Sequence, residues 1–133
     1  MKNSQDRIHD ILGDDNRRCA SNSLRWRNHL RQRLPLPIRV TGIEDFPWEE
    51  PYVLGVLDKE EYQELKESQP SYKDEFDLLD IGEPEEHDDL VAEIKRVSDG
   101  KVFNIGLSWL RTIDKKDTLY NVLNDYSVWH CNY

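Results

Sequence analysis

Two aliphatic runs, 90–97 (LVAEIKRV) and 102–109 (VFNIGLSW), flank Ser98-Asp99-Gly100-Lys101, and this arrangement commits the chain to antiparallel pairing. An Asp-Gly step tolerates the positive φ of a tight hairpin turn, so the two runs return on each other as neighbouring strands. Further short strands are read at 38–43 and 76–81, with lesser ones at 52–57, where Gly55 interrupts, and at 110–113. Helical spacing marks 21–34, where Trp26, Leu30 and Leu34 recur every four residues behind Asn22 or Ser23 as cap, and Pro35 and Pro37 stop it. A second helix is expected over 58–68, with Asp58 as N-cap, Glu61 reaching back to it, and Tyr62 and Leu65 turned inward. A third is expected over 118–126, with Leu119, Val122, Leu123 and Tyr126 on one face and Val128-Trp129 packing the tail onto the core. Residues 1–20 show no apolar period and are read as a flexible tail.

These elements predict an α+β fold, a small strongly bent antiparallel sheet or an SH3-like barrel with N-terminal, inserted and C-terminal helices. At 133 residues there is room for one core, so 21–133 is expected to be one domain. Four Trp, six Tyr and three Phe argue against an acidic disordered chain. No apolar run approaches the ~20 residues of a membrane span, and the polar start does not resemble a secretory signal. Two cysteines, Cys19 and Cys131, make no disulfide framework. A cytoplasmic protein without membrane partners is the expectation.

Charge is unevenly placed. Residues 1–40 carry nine basic and four acidic side chains, whereas 41–133 carry nine basic and 23 acidic ones. Within 74–89 there are nine carboxylates and no Lys or Arg. Such a field repels nucleic acid, attracts cations or basic partners, and disfavours self-association, so a monomer is expected. Arg25, Arg27, Arg31 and Arg33 line the polar side of the first helix. Covering the acidic half of the same molecule is their simplest use.

Carboxylates held ~4 Å apart repel by roughly 4 kcal/mol at an effective dielectric near 20, and a divalent cation between them reverses that cost. Loops carrying Glu44, Asp45, Glu49 and Glu50, facing Glu85, Glu86, Asp88 and Asp89, would gain from such an ion. Calcium suits irregular loops because it accepts six to eight oxygens in flexible geometry, whereas magnesium demands tighter octahedra. The plain alternative is a solvated acidic surface. No EF-hand is present: Asp74, Asp77 and Asp80 are spaced by three, without the Gly and Glu that loop requires. Strand alternation would put Asp80 on the face of Asp74 and Asp77 on the other. Zinc spacings, a nucleophile elbow and Gly-rich phosphate loops are missing from the sequence, so an enzyme is not expected. Trp48, between Pro47 and Glu49, anchors its loop to the core or meets a partner; anchoring is the safer reading and would hold the neighbouring acids in place.

The stretch IRVTGIEDFPWEEPY at 38–52, the triplet Asp88-Asp89-Leu90 and the ending NDYSVWHCNY at 124–133 together resemble the cyanobacterial calcium-binding protein family over roughly 24–133. The resemblance implies calcium binding without an EF-hand in a compact α/β fold. It also implies buffering of free calcium and restraint of heterocyst differentiation. It implies acidic residues matching Glu44, Asp88, Asp89 and Asp125, although Asn124 stands where the ending often has a second Asp, which turns Asp125 towards capping or pairing in the core. Glu44, Asp45, Glu49, Glu50, Asp88 and Asp89 therefore rank first as calcium ligands, and Asp80, Glu85 and Glu86 second, for a weaker ion. The rival reading is an acidic SH3-like interaction module, with Trp48 and the 44–50 loop holding a basic partner.

Overall fold

A computed structural model describes residues 2–55, 57–85 and 88–133. Five strands form one antiparallel sheet in the order β4-β3-β2-β1-β5: β1 Ile38–Gly42, β2 Glu75–Pro84, β3 Leu90–Arg96, β4 Val102–Gly106 and β5 Leu110–Thr112. The sheet is open, with β4 and β5 at its edges, so the α+β expectation holds as an open antiparallel sheet and not as a closed barrel. Five helices are described: α1 Ser4–Leu12, α2 Ala20–Arg33, α3 Glu50–Val53, α4 Lys59–Ser68 and α5 Thr118–Asn132. None is long and apolar enough to cross a membrane.

The Asp-Gly turn sets the β3–β4 register, which places Glu93 opposite Asn104 and Val91 opposite Gly106. Register in β2–β3 is less regular. Phe76 and Leu78 alternate inward as a strand should, but the next buried residue is Ile81, which strict alternation would turn outward. An irregularity between Leu78 and Asp80 resolves the conflict: Leu78 pairs with Ile94, Asp80 with Glu93, and Ile81 with Ala92. The phase change corrects the alternation argument. Asp80 joins the side of Asp77, and Asp74 lies before the strand, where its Oδ2 accepts from Arg96 Nη1 at 3.1 Å.

The core lies where α2 and α5 meet the sheet. Trp26 and Trp129 are fully buried with ring centroids 6.0 Å apart, and Trp26 meets Tyr126 edge-on at 5.7 Å. α5 runs on to Asn132, so Val128 and Trp129 belong to the helix rather than to a returning tail. Its N-cap is Asp117, which accepts from Leu119 N.

The N-terminal segment is not a flexible tail. Asn3 and Asp6 form a capping box for α1, and Ile8 and Leu12 are buried in the core. Arg7 fastens the helix to α5 through both carboxylate oxygens of buried Asp125, at 2.6 and 3.0 Å, and Ser4 Oγ donates to the same carboxylate. Asp125 is thus a core pairing group, as the sequence suggests.

The strand expected over 52–57, of which Val56 lies outside the described residues, is also corrected. Pro51 stands in the first turn of α3, where a missing N–H costs nothing and its φ already suits a helix. Asp58 caps α4 as expected, but Glu61 does not reach back: it accepts from Tyr52 Oη at 3.0 Å, because Tyr52 stacks on Tyr62 at 5.3 Å. α2 begins from Cys19, without a side-chain cap, while Asn22 donates to Asp15 O and Arg17 O in the preceding loop.

Candidate functional site

The first-ranked acids divide into two groups with different work. Glu49 is fully buried and saturated. Its Oε1 accepts from Tyr72 N at 2.7 Å and Phe46 N at 3.3 Å, and its Oε2 from Tyr62 Oη at 2.6 Å and Ser71 Oγ at 2.8 Å. Burial, and then the Glu49 carboxylate, raise Tyr62 well above the ordinary phenol value, so it stays a donor. Such a carboxylate is an internal brace. Trp48 completes it, donating Nε1 to Pro70 O at 2.7 Å, so the tryptophan anchors its loop.

Asp89 is the second brace. Its Oδ1 accepts from Tyr126 Oη at 2.7 Å and Ser108 N at 3.2 Å, and its Oδ2 from Ser108 Oγ at 2.7 Å. The same Tyr126 hydroxyl takes the Leu90 N–H at 2.8 Å, tying the start of β3 to α5. Gly106 is required beside it, since a Cβ there would collide with Asp89 Oδ2. Asp88 takes a left-handed φ of 61°, which Asp tolerates better than most residues, and its carbonyl accepts from Ser23 Oγ.

The remaining acids reach solvent. Glu44, Glu50, Asp80 and Glu85 are exposed and Asp45 is partly so; Glu86 lies outside the described residues. The fold brings Glu44 and Asp89 to the two sides of Cys131: Glu44 lines a small cleft with Ser108, Trp109 and Cys131, and Asp89 a larger one, about 690 Å³, that shares those three residues. Burial, then Asp89 and Glu44, raise the Cys131 thiol, with Arg18 opposing, which leaves it a poor nucleophile. Glu85 joins the larger cleft to a third; from the 44–50 loop only Pro47 shares a cleft with Glu85 and Asp89, and Glu44 lies in the smaller one. Glu50, on α3, lines none of the three.

That third cleft, about 280 Å³, is lined by Asp80, Gly82, Glu83, Pro84, Glu85, Val91, Glu93 and Asn104. Four carboxylates and one amide meet there without a basic residue in the wall. Asp80 and Glu93 are direct cross-strand partners, a placement that brings Cβ atoms to about 4.5–5.5 Å and is unfavourable for like charges. Arg31 pairs with Asp80, its Nη1 lying 3.7 Å from Asp80 Oδ1, both side chains being about half exposed. Arg27 also serves this edge, donating Nε to Ile81 O at 2.9 Å. Of the α2 arginines, Arg27 and Arg31 thus reach the acidic half of the molecule, whereas Arg25 donates Nη1 to Leu12 O at 3.3 Å.

Glu83, Glu93 and Asn104 escape the sequence ranking. The hairpin register could have placed Asn104 beside Glu93, but the β2 irregularities hide which acids of β2 join them. Hard oxygen donors of this kind fit calcium in type and number. As they stand, no three His, Cys, Asp or Glu side chains among the described residues are gathered tightly enough to hold an ion. Glu83 and Glu85 are exposed. Comparison of the chain with protein families, curated proteins and solved structures finds no match.

Proposed function

We propose that this protein binds calcium at the β2–β3–β4 edge, as a buffer or sensor of the free ion. The observation that carries the reading is the like-charged pairing of Asp80 with Glu93, met only by half-exposed Arg31 at Asp80, in a cleft shared with Glu83, Glu85 and Asn104. Like charges placed face to face weaken a sheet unless a cation joins them. Asp80, Glu83, Glu85 and Glu93 would hold the ion, with the Asn104 amide oxygen and water filling the remaining positions. The resemblance of 38–52, 88–90 and 124–133 to the cyanobacterial calcium-binding family supports the same activity. Glu49 and Asp89, saturated by internal donors, serve to brace the loops rather than to bind.

Mapping the side-chain carboxyl carbons by NMR during a calcium titration tests the placement. Saturable shifts at Asp80, Glu83, Glu85 and Glu93, with Glu49 and Asp89 unmoved, are expected. Shifts centred on Glu44, Asp45 and Glu50 instead would move the site to the insertion and overturn this assignment.

A further inference from the structure

The α3–α4 insertion is fastened to the sheet by charge rather than by apolar burial, since neither helix contributes a buried residue. Glu49 closes the insertion on itself through Phe46 N, Tyr62 Oη, Ser71 Oγ and Tyr72 N, joining its entry to α4 and to the segment that leaves it. Arg96, 3% exposed, holds the insertion to the sheet: its guanidinium donates to the carbonyls of Lys66, Glu67 and Gln69 at the C-terminal end of α4, at 2.6–2.9 Å. Carbonyls at a helix C-terminus carry partial negative charge, and a buried guanidinium satisfies several at once.

So held, the insertion leaves its apolar side chains outside. Val53, Leu54 and Leu57 are 45%, 69% and 45% exposed. Carboxylates neighbour them along the chain: Glu50 opens α3 one turn before its cap Leu54, Asp58 follows Leu57 as the cap of α4, and Glu60 and Glu61 occupy the first turn of α4. Glu61 is bonded to Tyr52, the neighbour of Val53. Between 49 and 61 the only basic residue is Lys59.

We infer that this end of the insertion is a docking surface for a basic amphipathic segment of a partner protein. Aliphatic side chains of that segment would rest on Val53, Leu54 and Leu57, while its Lys or Arg side chains meet Glu50, Asp58, Glu60 and Glu61. Charge complementarity selects this occupant. A symmetric contact with a second copy sets the same negative rim against itself, and an anionic lipid surface is repelled by it. None of these residues lines the acidic cleft, so the surface stands or falls separately from calcium binding.

The test uses the full chain, labelled with nitrogen-15 and held in chelator, titrated at physiological salt with a synthetic helical peptide carrying Leu on one face and Lys on the other. Saturable amide shifts centred on residues 53–61 are expected. A Leu54→Ser/Leu57→Ser variant, altered only at exposed positions and checked by circular dichroism, should bind about tenfold more weakly or worse. A Glu50→Gln/Glu60→Gln variant should bind more weakly and with less salt dependence. Shifts centred on Asp80 and Glu83, or equal affinity for the serine variant, would overturn the assignment. So would self-association of the free chain that the serine variant abolishes, or binding to anionic vesicles, since each gives the surface another occupant.

Discussion

Replacing Glu49 by glutamine keeps the shape of the brace and removes its charge, and the four donors around it determine the cost. Phe46 N and Tyr72 N cannot reverse direction, so the amide oxygen must stay on them. The amide NH₂ then faces the Tyr62 and Ser71 hydroxyls, which can rotate to accept. Every bond survives, but as a neutral one. Hydrogen bonds to charged groups contribute about 1.5–3 kcal/mol and neutral ones about 0.5–1.5, so four non-additive contacts put the loss at about 2–3 kcal/mol. Glu49→Ala abandons buried backbone N–H groups outright and should cost about 4 kcal/mol. For a domain of this size roughly 4 °C of Tm accompanies each kcal/mol, so the melting point should fall by about 8–12 °C for glutamine and about 16 °C for alanine. Thermal denaturation followed by near-ultraviolet circular dichroism in chelator reads both, and calcium titration below the transition should leave affinity unchanged. A Glu49→Gln protein that melts like the parent yet loses calcium binding would refute the reasoning, because Glu49 would then be a ligand.

Other consequences follow from single contacts. Glu93→Gln removes one member of the like-charged pair and should stabilise the ion-free protein by about 0.5 kcal/mol while weakening calcium binding, read by melting with and without the ion. Arg31→Gln removes the cation competing for Asp80 and should strengthen calcium binding, read by isothermal titration. Arg7→Met breaks the clamp on Asp125 and should cost about 1–3 kcal/mol, with hydrogen-exchange protection lost first in α1. Asp99 is held down to about 2 by the Arg96 guanidinium and then by the Lys101 N–H. Its folded value lies below the ordinary 3.8, so its stabilising contribution is complete above that value and is lost as pH falls towards about 2. Arg96→Lys, which keeps the charge but loses the fork, should return the Asp99 midpoint towards 3.8 in a carboxyl NMR titration.

Local chemistry wrote the parts of this fold that sequence can reveal. The Asp-Gly turn, the Asp58 cap and the two prolines after α2 act within a few residues of themselves, and β3, β4, α2 and α4 follow from them. α1 hides because its apolar signal is short and its clamp, Arg7 on Asp125, spans the whole chain. The run at 52–57 is apolar enough to pass for a strand, and only Pro51 in a first helical turn and the tie from Glu49 to Phe46 turn its start into α3. The candidate site was legible as a region rather than as a set of residues. Asp80 and Glu85 are prominent in an acidic run, but Glu93 sits among aliphatics, and its pairing with Asp80 depends on an irregular register that no period predicts. Glu49 and Asp89 look like ligands in sequence because burial, which makes them braces, is set by distant donors such as Tyr72 and Tyr126.

Isothermal titration of chelator-stripped protein with calcium, at physiological salt and with millimolar magnesium present, tests the central claim most directly. The account predicts saturable binding in the range of ~10⁻⁷ to ~10⁻⁴ M that survives magnesium, with a matching rise in Tm. No heat and no melting shift would contradict it, and the acids of the β2–β3–β4 edge would then be surface charge alone.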